Sequence, residues 1–75
     1  MITPAQCRAA RGLLRWTQED LVAHADISII TIRTFETEKA APRKSTLKLI
    51  RIAFEEAGVE FVEEDGKGIG VCLRR

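Results

Sequence analysis

The chain has 75 residues, 45% of them apolar and 31% charged, with a formal net charge of +1. That length admits one domain, and a domain this small buries only about 60% of the surface its unfolded form exposes, so help from a partner chain is expected. Two cysteines far apart exclude a disulfide-rich scaffold, no run approaches the roughly 18 apolar residues of a membrane span, and no signal peptide is visible, which leaves a small soluble domain expected in the cytoplasm.

Ile2-Thr3-Pro4-Ala5-Gln6 announces a first helix. Thr3 can cap it, Pro4 fits the first helical position, and Gln6 completes a capping box. Ile2 and Cys7 are placed to form a hydrophobic staple. Cys7, Ala10 and Leu14 recur at helical spacing with Leu13 beside them, which predicts a helix over about 4–14. Thr17-Gln18-Glu19-Asp20 opens a second helix, a hydroxyl cap followed by two acids that suit the positive end of the helix dipole. Leu21, Val22 and Ala25 supply its apolar face over about 18–24. Ala25-Asp26-Ile27 leaves room only for a tight turn before Ser28, which caps a third helix over about 28–37 that buries Ile32 and Phe35.

Glu38 to Lys44 lacks periodicity and contains Pro42, so it reads as a loop. Ser45 is expected to cap a fourth helix in which Leu47, Ile50, Phe54 and Ala57 line one face, with Gly58 as its stop. The period then changes from helical to alternating. Val59 and Phe61 alternate with Glu60, Glu64 to Gly68 marks a turn, and Ile69, Val71 and Leu73 alternate with Gly70, Cys72 and Arg74. This predicts a β-hairpin with strands over about 59–63 and 69–73. A lone hairpin is barely stable in water, so it must pack on the helices or pair with another chain. The expected fold is mainly α: four helices over residues 1–58, then a C-terminal β-hairpin over 59–75 that belongs to the same domain. Its core should contain Leu13, Leu14, Leu21, Ile27, Ile32, Phe35, Leu47, Ile50 and Phe54.

Charge gives a weaker hint. Residues 1–44 carry seven Lys/Arg against five acids and residues 45–75 five against six, less basic than a typical nucleic-acid domain. Nothing points to an enzyme. Ser28, Ser45 and His24 sit on elements with other evident tasks, and Gly66-Lys67-Gly68 lies in a hairpin turn that opens no helix, so it is no phosphate loop. One histidine without a cluster at ligand spacing is not a metal site; at the end of the second helix it suits the dipole. No catalytic residue, metal, cofactor or small-molecule ligand is expected. Trp16 reads as a core anchor between the first two helices. Cys7 reads as a core residue and Cys72 as a strand residue facing away from Ile69 and Val71, and a bridge between the two stays open.

Two short helices joined by a three-residue turn have the spacing of a helix-turn-helix. Thr17-Gln18-Glu19-Asp20-Leu21-Val22-Ala23, then Ile27-Ser28, Thr31-Ile32, Phe35-Glu36 and Pro42, resembles the Cro/phage-repressor (XRE) family of helix-turn-helix regulators over roughly residues 6–57. The resemblance implies an all-helical, usually five-helix domain that binds operator DNA, commonly as a homodimer. It implies a bacterial or phage-encoded cytoplasmic protein, found at the nucleoid when bound. Gln18 would sit on a DNA phosphate. Ile29, Ile30, Arg33 and Thr34 would face the major groove from the helix at about 28–37. Ser28, Thr31, Lys39, Arg43 and Lys44 would lie along the backbone, and Arg11 and Glu36 match a pair that ties the first helix to the end of the third.

Four departures stand out. Asp26 replaces the glycine usual in the turn, where a left-handed backbone is needed; Asp tolerates it better than most residues. Glu38 replaces the glycine usual after the recognition helix. Ile29 and Ile30 stand where polar base-readers are common; neither can hydrogen-bond a base edge, but both could meet thymine methyls. Arg33 could reach a guanine or a phosphate. A hairpin also stands where a fifth helix is usual.

The expected function is sequence-specific binding of double-stranded DNA by a small transcriptional regulator, a repressor. A single module offers few phosphate contacts and the hairpin leaves open edges, so a homodimer is expected through Val59, Phe61, Ile69, Val71 and Leu73. The acids at 55–56 and 63–65 point the hairpin away from the duplex. The competing readings are a protein-interaction module on the same scaffold, with Ile29 and Ile30 as an apolar docking patch, and an antitoxin-like DNA-binding partner.

Overall fold

The computed structural model describes residues 2–64 and 68–74. Four helices run in order, α1 (Pro4–Leu14), α2 (Gln18–Ala25), α3 (Ile29–Glu36) and α4 (Lys44–Glu56), followed by strands β1 (Val59–Glu64) and β2 (Gly68–Leu73). The turn expected between the strands falls on residues 65–67, outside the described residues.

Local signals account for the helix starts. Thr3 Oγ1 accepts the Gln6 N–H at 3.1 Å while Gln6 Oε1 accepts the Thr3 N–H at 3.0 Å, the reciprocal box with Pro4 just inside it. Thr17 and Asp20 do the same for α2 at 3.0 and 2.9 Å. Ser28 Oγ accepts the Thr31 N–H at 3.1 Å to start α3. The fourth start differs from expectation. Arg43, not Ser45, is the N-cap of α4 and makes no side-chain capping bond, and Ser45 lies inside the first turn.

The helix ends need left-handed backbone, and side-chain-bearing residues supply it. Arg15, Asp26 and Glu38 have φ of 57°, 58° and 62°, while Gly58 closes α4 at φ 99°. At Glu38 the closure is a Schellman motif. Its N–H reaches the Phe35 carbonyl at 3.0 Å and the Lys39 N–H reaches that of Thr34 at 2.9 Å. A glutamate there suffers a Cβ clash that glycine escapes. Glu38→Gly is expected to stabilise the fold by about 0.5–1 kcal/mol, after the larger unfolded-state entropy of glycine is subtracted. Thermal melts should register a rise of several degrees; a fall would mean that Glu38 makes a contact worth more than its strain.

The strands pair antiparallel, with Val59 opposite Leu73, Phe61 opposite Val71 and Glu63 opposite Ile69. Directly opposed residues share a face, so those six line one side of the hairpin, and Glu60, Val62, Gly70 and Cys72 line the other. The first side packs on the helices. Phe61 lies 6.3 Å from Phe54, and Arg51 of α4 sits 4.9 Å over the Phe61 ring. At the opposite edge Gln6 donates its amide to the Gly70 carbonyl at 3.2 Å. Gln6 is 2% exposed, so the residue that caps α1 also fastens β2 to it.

Leu21, Ile32, Phe35, Leu47, Ile50 and Phe54 are buried together with Ile2, Cys7, Ala10, Ala25, Ala53 and Val59, and Leu14, Ile27 and Trp16 pack partly buried against them. Leu13 departs from the expected core: it is 39% exposed. Cys7, Ala10 and Leu14 occupy the inward line of α1, and Leu13 falls one position off it. Ile2 and Cys7 share the same core, as a staple requires. Both cysteines are free, Cys7 buried and Cys72 exposed.

Candidate nucleic-acid interface

Three residues, Asp26 to Ser28, separate α2 from α3. The left-handed Asp26 reverses the chain, and its N–H closes α2 on the Val22 carbonyl at 2.9 Å. Leu21 and Ala25 of α2 and Ile32 and Phe35 of α3 are buried in the one core, which sets the inward sides of both helices. Helical geometry then turns Ile30, Arg33, Thr34 and Thr37 outward. Ile30 is 68% exposed, the most exposed large apolar side chain among the described residues. Ile29 lies on the flank and is half-buried, so the two adjacent isoleucines have different environments. Arg33 is exposed and Thr34 and Thr31 are half-buried.

Exposed charge along this stretch of chain is mainly positive. Between Asp26 and Lys48 the exposed cations are Arg33, Lys39, Arg43, Lys44 and Lys48, against the exposed carboxylates Asp26 and Glu38. Glu38 is partly offset by Arg8, 3.8 Å away. The hairpin side carries the opposite sign, with Glu56, Glu60 and Glu63 exposed.

Behind the face lies a polar knot that joins three helices. Glu36, 4% exposed, accepts both nitrogens of the Arg11 fork at 2.7 Å, the Gln18 amide at 3.1 Å and the Cys7 thiol at 3.2 Å. Arg11 also donates to the Trp16 carbonyl at 3.0 Å, and Arg8 donates to the Glu36 carbonyl. The expected Arg11–Glu36 pair is therefore the centre of a larger set. One N–H of the Gln18 side-chain amide is engaged inward on Glu36. Its second amide N–H and its first-turn backbone N–H, which has no carbonyl behind it in the helix, have no partner within this set. Cys7 and Arg8 on α1 and Gln18 on α2 carry no local signal of this convergence, since Glu36 lies on a third helix.

Burial works to raise the Glu36 carboxyl, but hydrogen bonds from Arg11, Gln18 and Cys7 outweigh it and hold it below the usual carboxylate range. Hydrogen bonding to Glu36 raises Arg11 in turn. Burial, and then the adjoining carboxylate, pushes the Cys7 thiol far up. The signs give a stability profile with two limbs. Glu36 is depressed on folding, so its contribution is complete above the ordinary glutamate range near pH ~4.3 and is lost as pH falls through the folded value. Cys7 is raised, so stability is lost as pH climbs past the ordinary thiol value of about 8.5, where only the unfolded chain releases its proton. Urea midpoints should be flat between about pH 5 and 8 and fall on both sides. An alkaline limb that survives Cys7→Ala would assign it elsewhere.

Trp16 stacks on His24 at 4.2 Å and on Phe54 at 5.7 Å, so it anchors α2 to α4 and lies away from the outward face of α3. Of the hairpin residues expected at a dimer interface, Val59 is 1% exposed and belongs to the core of its own chain, where it follows directly from the Gly58 turn. Phe61 and Val71 pack partly on that core, and Ile69 and Leu73 are 53% and 41% exposed. No helix among the described residues is long and apolar enough to cross a membrane. Compared with protein-family models and with curated proteins, the chain matches none.

Proposed function

We propose that the chain is a sequence-specific DNA-binding transcriptional regulator, a helix-turn-helix domain of the phage-repressor type that reads the major groove with α3 and represses by occupying its operator. The observation that carries this is the outward face of α3, held by a three-residue turn and presenting the exposed Arg33, in a stretch from Asp26 to Lys48 whose exposed side chains include five cations against two carboxylates. A helix presented in this way fits a major groove, and the cations of that stretch suit phosphate. We infer a homodimer as well. One such module makes few phosphate contacts, and Ile69 and Leu73, with the rims of Phe61 and Val71, offer an apolar surface beside the outer edges of a two-stranded sheet.

A protein-docking role for the same face is favoured by one observation, the exposure of Ile30. Titration against mixed duplex DNA at two salt concentrations separates the two. A DNA reader should lose affinity steeply with salt and enrich a roughly palindromic site. Arg33→Ala should weaken that binding by about 1–3 kcal/mol, whereas neutralising Lys39, Arg43 or Lys44 should each flatten the salt slope by about 1. Absence of binding even at low salt would overturn the proposal and make Ile30 the place to seek a protein partner.

A further inference from the structure

The outward face of α3 carries hydroxyls that are already engaged within the chain. Thr34 Oγ1 donates to the carbonyls of Ile30 and Thr31 at 3.0 and 3.2 Å. Thr37 Oγ1 donates to the Arg33 carbonyl at 2.7 Å. A hydroxyl has one proton, so neither threonine retains a donor for a base edge. Ser28 and Thr31 bond each other at 2.9 Å and keep one proton between them, at the N-terminal margin of the face. In the middle of the face the free donor is therefore the Arg33 guanidinium, beside the apolar Ile30, while the threonine oxygens keep only acceptor capacity.

Resting on the DNA-binding proposal, we infer that α3 selects its site by packing Ile30 on thymine C5-methyl groups and by a fork of hydrogen bonds from Arg33 to a guanine. The apolar contact discriminates in both directions. A thymine methyl buries apolar surface against Ile30. An adenine or cytosine amino group pressed against the Ile30 side chain would lose its water and gain no acceptor from it. Arg33 matches the paired O6 and N7 acceptors that only guanine offers in the major groove. Arg33 is the exposed cation on α3 itself, whereas Lys39, Arg43, Lys44 and Lys48 lie on the following loop and α4, which suits them to phosphates and Arg33 to the base.

The test uses the full chain and duplexes selected from a random pool. Each is remade with deoxyuridine for thymine, a change that removes only the C5-methyl. The wild type should bind the uridine duplex about fourfold more weakly per methyl contacted, the equivalent of one buried methylene. Ile30→Ala should bind more weakly than wild type and should not distinguish the two duplexes. Replacing the guanine by 7-deazaguanine should weaken wild type at least about fivefold and leave Arg33→Ala unaffected. Both side chains are exposed, so unchanged thermal melts certify the fold of each variant. Equal binding of thymine and uridine duplexes, with the salt dependence intact, would overturn methyl readout and leave DNA binding standing. Loss of all salt-dependent binding would overturn both.

Discussion

Phe54→Ala is expected to remove about 3–5 kcal/mol of stability, the largest loss of any single side chain considered. Phe54 is fully buried near the C-terminal end of α4, 5.7 Å from Trp16 and 6.3 Å from Phe61, so one ring joins the α1–α2 connection, α4 and the hairpin. Removing a buried phenylalanine costs about 3–5 kcal/mol through lost burial and the cavity left behind. A chain of 75 residues has on the order of 4–11 kcal/mol of total stability. The loss thus runs from about a quarter of the total to all of it. Urea unfolding followed by far-ultraviolet dichroism should report the lowered midpoint, and the emission of the single tryptophan should move to the red as its partner ring disappears. Ile50→Val, in the same buried row, removes one methylene and should cost only about 0.5–1.5 kcal/mol. A Phe54→Ala variant as stable as Ile50→Val would mean that the hairpin contributes nothing through this contact.

Glu36→Ala is the second large effect. It leaves the Arg11 guanidinium, the Gln18 amide and the Cys7 thiol facing a vacated acceptor. Breaking a fully buried ion pair from one side costs about 3–5 kcal/mol. The Arg11 side chain is 21% exposed and can recover some hydration, so about 2–4 kcal/mol is expected here. Glu36→Gln retains an acceptor oxygen and should cost about half as much. It should also remove the acid limb of the stability profile, because the group whose titration produces that limb is gone. Persistence of the limb in Glu36→Gln would assign it to other carboxylates.

These two sites differ in how far the sequence disclosed them. Phe54 belongs to an unbroken helical period with Leu47 and Ile50, and its burial follows from the pattern alone. Glu36 was legible only as one half of a pair with Arg11. Its other partners, Cys7 and Gln18, lie on two more turns of chain that nothing local connects to it. The same contrast separates the two isoleucines of α3. They are adjacent and chemically identical, and a single helical step of rotation leaves Ile30 bare and Ile29 half-covered.

The sequence by itself determined where the first three helices start, the tight turn at Asp26, and the change to a hairpin after Gly58. These signals act within one helical turn or between alternate residues, so the side chains that produce them are neighbours along the chain. Where no side-chain cap exists, as at Arg43, the boundary was missed. Only the tertiary structure decided that Gln6 fastens β2, that Leu13 stays outside the core, that Val59 goes into it, and that Glu36 gathers side chains from as far as 29 positions away. Those outcomes depend on how helices are rotated and stacked against one another, and a rotation set by the packing of the whole core leaves no mark on any short stretch of sequence.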